Sequence, residues 1–136
     1  MKNIYLIVLI AVLGSCGKEK RQEIQENLVI QAMTTGLWKV THYYKGSTDI
    51  TTDFSTYKFQ FKTDLTVDAI NGSSIEKTGS WNADANSQTI TSNFAGAVNP
   101  LLYLNGTWTI TSTTWTSVIA TQMVGGELRS LQLDKL

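Results

Sequence analysis

Thr56-Tyr57-Lys58-Phe59-Gln60-Phe61-Lys62 decides the fold. Three rings alternate with four polar side chains, so the rings fall on one side of a ribbon whose side chains point in turn to opposite faces. A helix would scatter them around its axis. The segment reads as a half-buried strand, and the same period of two recurs through the chain. Trp38, Val40, His42 and Tyr44 share a face. So do Leu65, Val67 and Ala69, then Ile75, Lys77, Gly79 and Trp81, then Ile90, Ser92 and Phe94. Leu104, Gly106, Trp108 and Ile110 follow, then Trp115, Ser117 and Ile119, then Arg129, Leu131 and Leu133.

Turn chemistry separates these runs: Thr63-Asp64, Asn71-Gly72, the cluster from Asn82 to Ser87, Ala95 to Pro100, Ser112-Thr113 and Gly125-Gly126. Eight short strands joined by short loops leave no room for helical crossovers, so the sheet is antiparallel. Closing on itself removes its exposed edges. The expectation is an all-β, eight-stranded, antiparallel up-and-down barrel, with a two-sheet β-sandwich as the alternative. Composition agrees. Nineteen threonines and thirteen aromatic residues suit pleated surfaces, and a single proline argues against a mucin-like stalk.

Ahead of the strands the character changes. A basic start, Met1-Lys2-Asn3, is followed by an apolar run from Ile4 to Leu13 and by Gly14-Ser15-Cys16. The run is too short to span a bilayer and fits the apolar region of an export signal. Leu13-Gly14-Ser15-Cys16 resembles the bacterial lipobox, which implies cleavage before Cys16 and lipidation, including palmitate-type acylation, of that cysteine. The domain plan is then a signal peptide over 1–15, a lipidated tether over 16–33 and a barrel over 34–136. Gly17 to Gln25 is charged and poor in core residues, as a tether should be. Ile24, Leu28 and Ala32 recur at helical spacing, predicting a short amphipathic helix over about 22–33 that could plug one end of the barrel.

Charge excludes one class of partner. The chain carries eleven basic and eleven acidic residues, and loss of Lys2 with the signal leaves a net of −1. No basic patch is present, so no nucleic-acid partner is expected. The one cysteine is consumed as the anchor, which leaves no disulfide to staple the fold.

The chain resembles the lipocalins at Gly36-Leu37-Trp38, a Gly-x-Trp motif opening the first strand. Thr78-Gly79-Ser80-Trp81, Leu104-Asn105-Gly106-Thr107-Trp108 and Leu128-Arg129-Ser130-Leu131-Gln132-Leu133 are similar to lipocalin-like lipoproteins of Bacteroidetes-type bacteria. The resemblance covers about residues 34–136. It implies a lipid-anchored calyx that binds a small hydrophobic molecule. Gly17 after the cysteine is not the acidic residue that holds some lipoproteins at the inner membrane, so the outer membrane is the expected location, on either its periplasmic or its outer face. Lipocalins also place a cation from the end of the last strand against the tryptophan of the first. Arg129 lies too early in its strand for this, so Lys135 takes the Trp38-covering role.

A meander sorts inward residues by height. Trp38, Trp81, Trp108 and Trp115 are expected to collect near Gly36 and close that lower end. The upper end mixes apolar walls with polar handles, as ligand sites do. A fatty acid or related anion would lie on Tyr44, Tyr57, Phe94 and Ile119, its head on Arg129 or Lys77, because the arginine fork bonds both carboxylate oxygens. The competing reading is a filled barrel that serves as a structural or protein- or glycan-interaction lipoprotein.

Catalytic chemistry is not signalled. One histidine, His42, supplies neither a triad nor a His-based metal site. Asn82, Asp84 and Asn86 alternate like calcium ligands, but offer one carboxylate and no following glutamate, so a plain turn is the better reading. No phosphate-cradling or cofactor motif is present. Neither enzyme activity, nor a metal, nor a cofactor is expected.

Overall fold

The ring alternation at 57–61 becomes a strand, and its neighbours pair around it into a closed wall. This computed structural model describes residues 28–136. The signal peptide, Cys16 and the tether up to residue 27 lie outside the described residues. Residues 28–34 are helical (α1), so the expected helix is described only from residue 28 onward.

The strands are β1 (Trp38–Lys45), β2 (Thr48–Asp49), β3 (Tyr57–Phe61), β4 (Thr66–Asn71), β5 (Ser74–Asp84), β6 (Thr89–Asn93), β7 (Gly106–Thr113), β8 (Ser117–Val124) and β9 (Glu127–Lys135). Each long strand pairs antiparallel with the next, and β1 pairs with β9 to close an eight-stranded barrel. The two-residue β2 only extends the sheet beside the end of β1. Closure excludes the sandwich.

Three register shifts set the inward faces. In β1 the pairing runs Val40 with Leu133 and then His42 with Gln132, which leaves Thr41 as an extra residue. Such a bulge reverses side-chain parity beyond it. Tyr43 therefore points inward and is fully buried, while His42 and Tyr44 turn outward and stack at 4.3 Å. A second shift lies between Ile110 and Ser112. The buried residues of β8 are Val118 and Ala120, not Ile119. A third lies between Ala69 and Ile70.

Two glycines are required by geometry. Gly36 turns the chain from α1 into β1 at φ +79°, a region L side chains rarely adopt. Gly79 leaves room for Phe94, because a Cβ there would stand 2.5 Å from the Asn93 carbonyl and 2.8 Å from the Phe94 ring.

The interior is solid. Trp38, Tyr43, Phe59, Val67, Trp81, Phe94, Trp108 and Leu131 fill it with side chains from every part of the wall. Each large apolar side chain so buried contributes about 1.5–3 kcal/mol. The gap among Phe59, Ile90, Leu104, Trp108 and Leu133 is about 40 Å³, water-sized rather than ligand-sized.

Candidate functional site

The expected mouth lies at the upper end, where β1 ends and β9 begins, and a loop closes it. Between β6 and β7 the chain makes a single 3-10 turn, Leu101–Leu104, that buries Leu101 and Leu104. The Leu104 carbonyl accepts hydrogen bonds from the Trp108 indole at 3.0 Å and the Ser92 hydroxyl at 2.5 Å. The Tyr103 carbonyl accepts one from the Tyr43 hydroxyl. Lys45 and Arg129 lie over the Tyr103 ring, at 4.5 and 5.4 Å from its centre. A second 3-10 turn, Thr51–Phe54, buries Phe54 against Tyr43.

Four of the six residues expected to bind ligand come to this end, but as structure. Phe94 is buried beside Phe59. Tyr57 donates to the Glu76 carboxylate at 2.8 Å. Lys77 sits half-buried, its ammonium close to Gly96 of the closing loop. Arg129 is held by Tyr103 and by Glu127, 3.4 Å from its Nε. The other two expectations are corrected. Tyr44 faces outward because of the Thr41 bulge. Ile119 faces outward because β8 presents Val118 and Ala120 to the core.

The tryptophans do not gather at one rim. Trp38 lies at the lower end, its indole donating to the Met33 carbonyl at 2.9 Å. Trp81 packs edge-on against Phe61 and donates to the Lys62 carbonyl. Trp108 reaches the upper closing turn, and Trp115 stands 54 % exposed in the β7–β8 turn. Lys135 is opposite Trp38 in register, its ammonium 5.0 Å from the ring centre and 3.0 Å from the Ala32 carbonyl. The cation thus covers the indole and satisfies a carbonyl near the negative end of α1.

Burial pushes the Tyr43 hydroxyl up to about 12, with the Arg129 charge opposing. Burial also raises Tyr57 to about 12, reinforced by its bond to the Glu76 carboxylate. Asp68, on the outer face yet buried, is held below the usual carboxylate range by its bond to Lys62 at 2.6 Å and by Thr78.

A concavity lies at the lower end, where α1 crosses the barrel. A groove of about 390 Å³ runs between Leu28 and Val29 of α1, the β5–β6 turn and the end of β7. Ala83, Ile110 and the two α1 residues make apolar walls, and Asp84, Gln88, Thr89 and the Thr111–Thr113 segment make a polar rim. The Asp84 carboxylate accepts from the backbone of Asn86 at 2.9 Å, shaping the turn. Gln88, at φ +53°, offers its carbonyl to the Ile110 amide and ties that turn to β7. Beyond α1 a shallower recess of about 240 Å³ is bounded by Leu28, Val29, Ala32 and Trp115. The groove's volume falls within the range of small-molecule pockets, about 300–1,000 Å³. Its rim carries hydroxyls, an amide and one carboxylate, which suits a neutral or donor-bearing head better than an anion. Among the described residues no group of three or more His, Cys, Asp or Glu is placed to hold a metal ion.

Sequence reading missed this groove because its walls belong to a helix, a turn and a strand end. The available signal was the long Asn82–Ser87 turn beside a plugging amphipathic helix.

Neither a family model nor a curated protein matches the chain. Among solved structures it is similar to a DUF4847 family protein from Bacteroides vulgatus ATCC 8482. The TM-score is 0.52 at 16 % identity, over 78 % of this chain and 96 % of that one. The two chains share a fold. At that identity the likeness concerns the barrel architecture alone.

Proposed function

We propose that this protein is a lipocalin-like lipoprotein of the cell envelope, anchored through Cys16, that binds a small amphipathic molecule in the groove beside α1. One observation carries the reading: the ligand-sized space lies outside the packed interior, between Leu28-Val29, the β5–β6 turn and Ile110–Thr113. The lone carboxylate there, Asp84, favours a hydroxyl- or amine-headed acyl compound over a free fatty acid. The reading includes no catalytic step and no cofactor. The outer membrane is its proposed site.

Binding of pyrene-labelled monoacylglycerol tests the assignment. Ala85→Trp, which fills the groove, should weaken binding at least tenfold, and Arg129→Ala at the closed upper end should leave it unchanged. The reverse pattern would move the ligand to the upper end.

A second reading, an interaction lipoprotein with a filled barrel, is favoured by the β8–β9 hairpin tip. Met123 and Leu128 are paired across the hairpin and exposed, with Val124 between them and the Gly125-Gly126 turn. Exposed apolar side chains gathered this way mark contact surfaces. A Met123→Lys, Leu128→Lys variant that keeps full monoacylglycerol binding but loses a cross-linked envelope partner would favour this reading.

A further inference from the structure

We infer that the lower rim around Trp115 rests on the membrane surface, so that the α1 grooves open toward lipid. The inference deepens the lipoprotein reading above and rests on it. Trp38, Trp81 and Trp108 are buried and bond their indole N–H groups within the protein. Trp115 is 54 % exposed, and its indole has no hydrogen-bond partner among the described residues. An indole with one apolar face and one free donor suits the boundary between headgroups and acyl chains.

Its neighbours and the chain connection point the same way. Trp115 borders the same recess as Leu28 of α1, which is itself 44 % exposed. Leu136 also lies at this rim, exposed, with its amide on the Leu37 carbonyl. Eleven residues separate Cys16 from Leu28. Twelve steps of fully extended chain reach about 40 Å at most, so an acylated Cys16 keeps the domain within that distance of the bilayer. Leu28 lies at the lower rim, so that rim is joined to Cys16 by the shortest stretch of chain. Contact is driven by apolar insertion, since Asp64, Asp68, Asp84 and Asp134 outnumber Lys39, Lys62 and Lys135 at this end, and Lys62 is already paired with Asp68. It should therefore survive high salt.

Trp115 is the only indole that solvent or lipid can reach among the described residues, which makes emission a selective probe. The lipidated full chain is reconstituted into phosphatidylethanolamine–phosphatidylglycerol vesicles with brominated acyl chains. Wild type should show blue-shifted emission and strong quenching, unchanged at high salt, and Trp115→Phe should lose that quenched component while remaining folded. Vesicle-bound protein whose Trp115 stays red-shifted, unquenched and accessible to acrylamide overturns the inference alone. Mass spectrometry that finds Cys16 without acyl chains overturns the lipoprotein reading and the inference with it.

Discussion

At the scale of single residues, the lower joint depends on Lys135. Its ammonium sits over Trp38 and on the Ala32 carbonyl, so one side chain ties β9, β1 and α1 together. Lys135→Met keeps the stem and loses the charge. The expected cost is about 1 kcal/mol, read as a lower denaturation midpoint with faster amide exchange in residues 28–34. Titration gives two further tests of opposite sign. The Tyr43 hydroxyl is raised in the folded state, so its contribution is complete below the unfolded value near 10 and is lost as pH climbs toward about 12. Tyr43→Phe should remove that part of the alkaline loss, on the order of 2 kcal/mol, in unfolding curves taken across this window. Asp68 is depressed, so its contribution holds above the ordinary carboxylate value and fades as pH falls through its lowered one. Asp68→Asn should be less stable than wild type at neutral pH, and the difference should shrink in acid.

At the scale of elements, strands were legible wherever rings or aliphatics alternated with polar residues. Tyr57 to Phe61 and Arg129 to Leu133 face as their pattern requires. Parity failed where a bulge met ambiguous residues. His42, Tyr43 and Tyr44 are all amphipathic rings, so nothing in their order reveals that Thr41 is the extra residue. Val118 and Ile119 are adjacent β-branched residues and admit either phase. The upper closure was missed for another reason. Leu101-Leu102-Tyr103-Leu104 is a continuous apolar run after a proline, which carries no period at all. That element is a plug, and the barrel should feel its removal. Leu104→Ala would enlarge the gap beneath it and cost about 2–5 kcal/mol in denaturant titration, with unchanged monoacylglycerol binding. Gly79→Ala should cost more than 2 kcal/mol by the same measure, because the added methyl meets the Asn93 carbonyl rather than a movable chain end.

For the molecule as a whole, a closed wall with a packed interior forces function to the outside. Small eight-stranded barrels have interiors that side chains alone can fill, and here rings from β1, β3, β5 and β7, aliphatic side chains from β4, β6, β8 and β9 and the Leu101–Leu104 turn do so. The sequence announced the wall, its length and its closure through alternation and turns. It could not announce the location of empty space, which depends on bulges, a closing turn and the angle at which α1 crosses the lower end. Amide chemical-shift mapping of residues 28–136, titrated with a soluble monoacylglycerol, tests the central claim most directly. The account predicts perturbations at Leu28-Val29, Ala83–Thr89 and Ile110–Thr113, with Phe94, Leu104 and Arg129 unmoved. Perturbations centred on Phe94, Leu104 and Arg129, with the α1 groove silent, would contradict it.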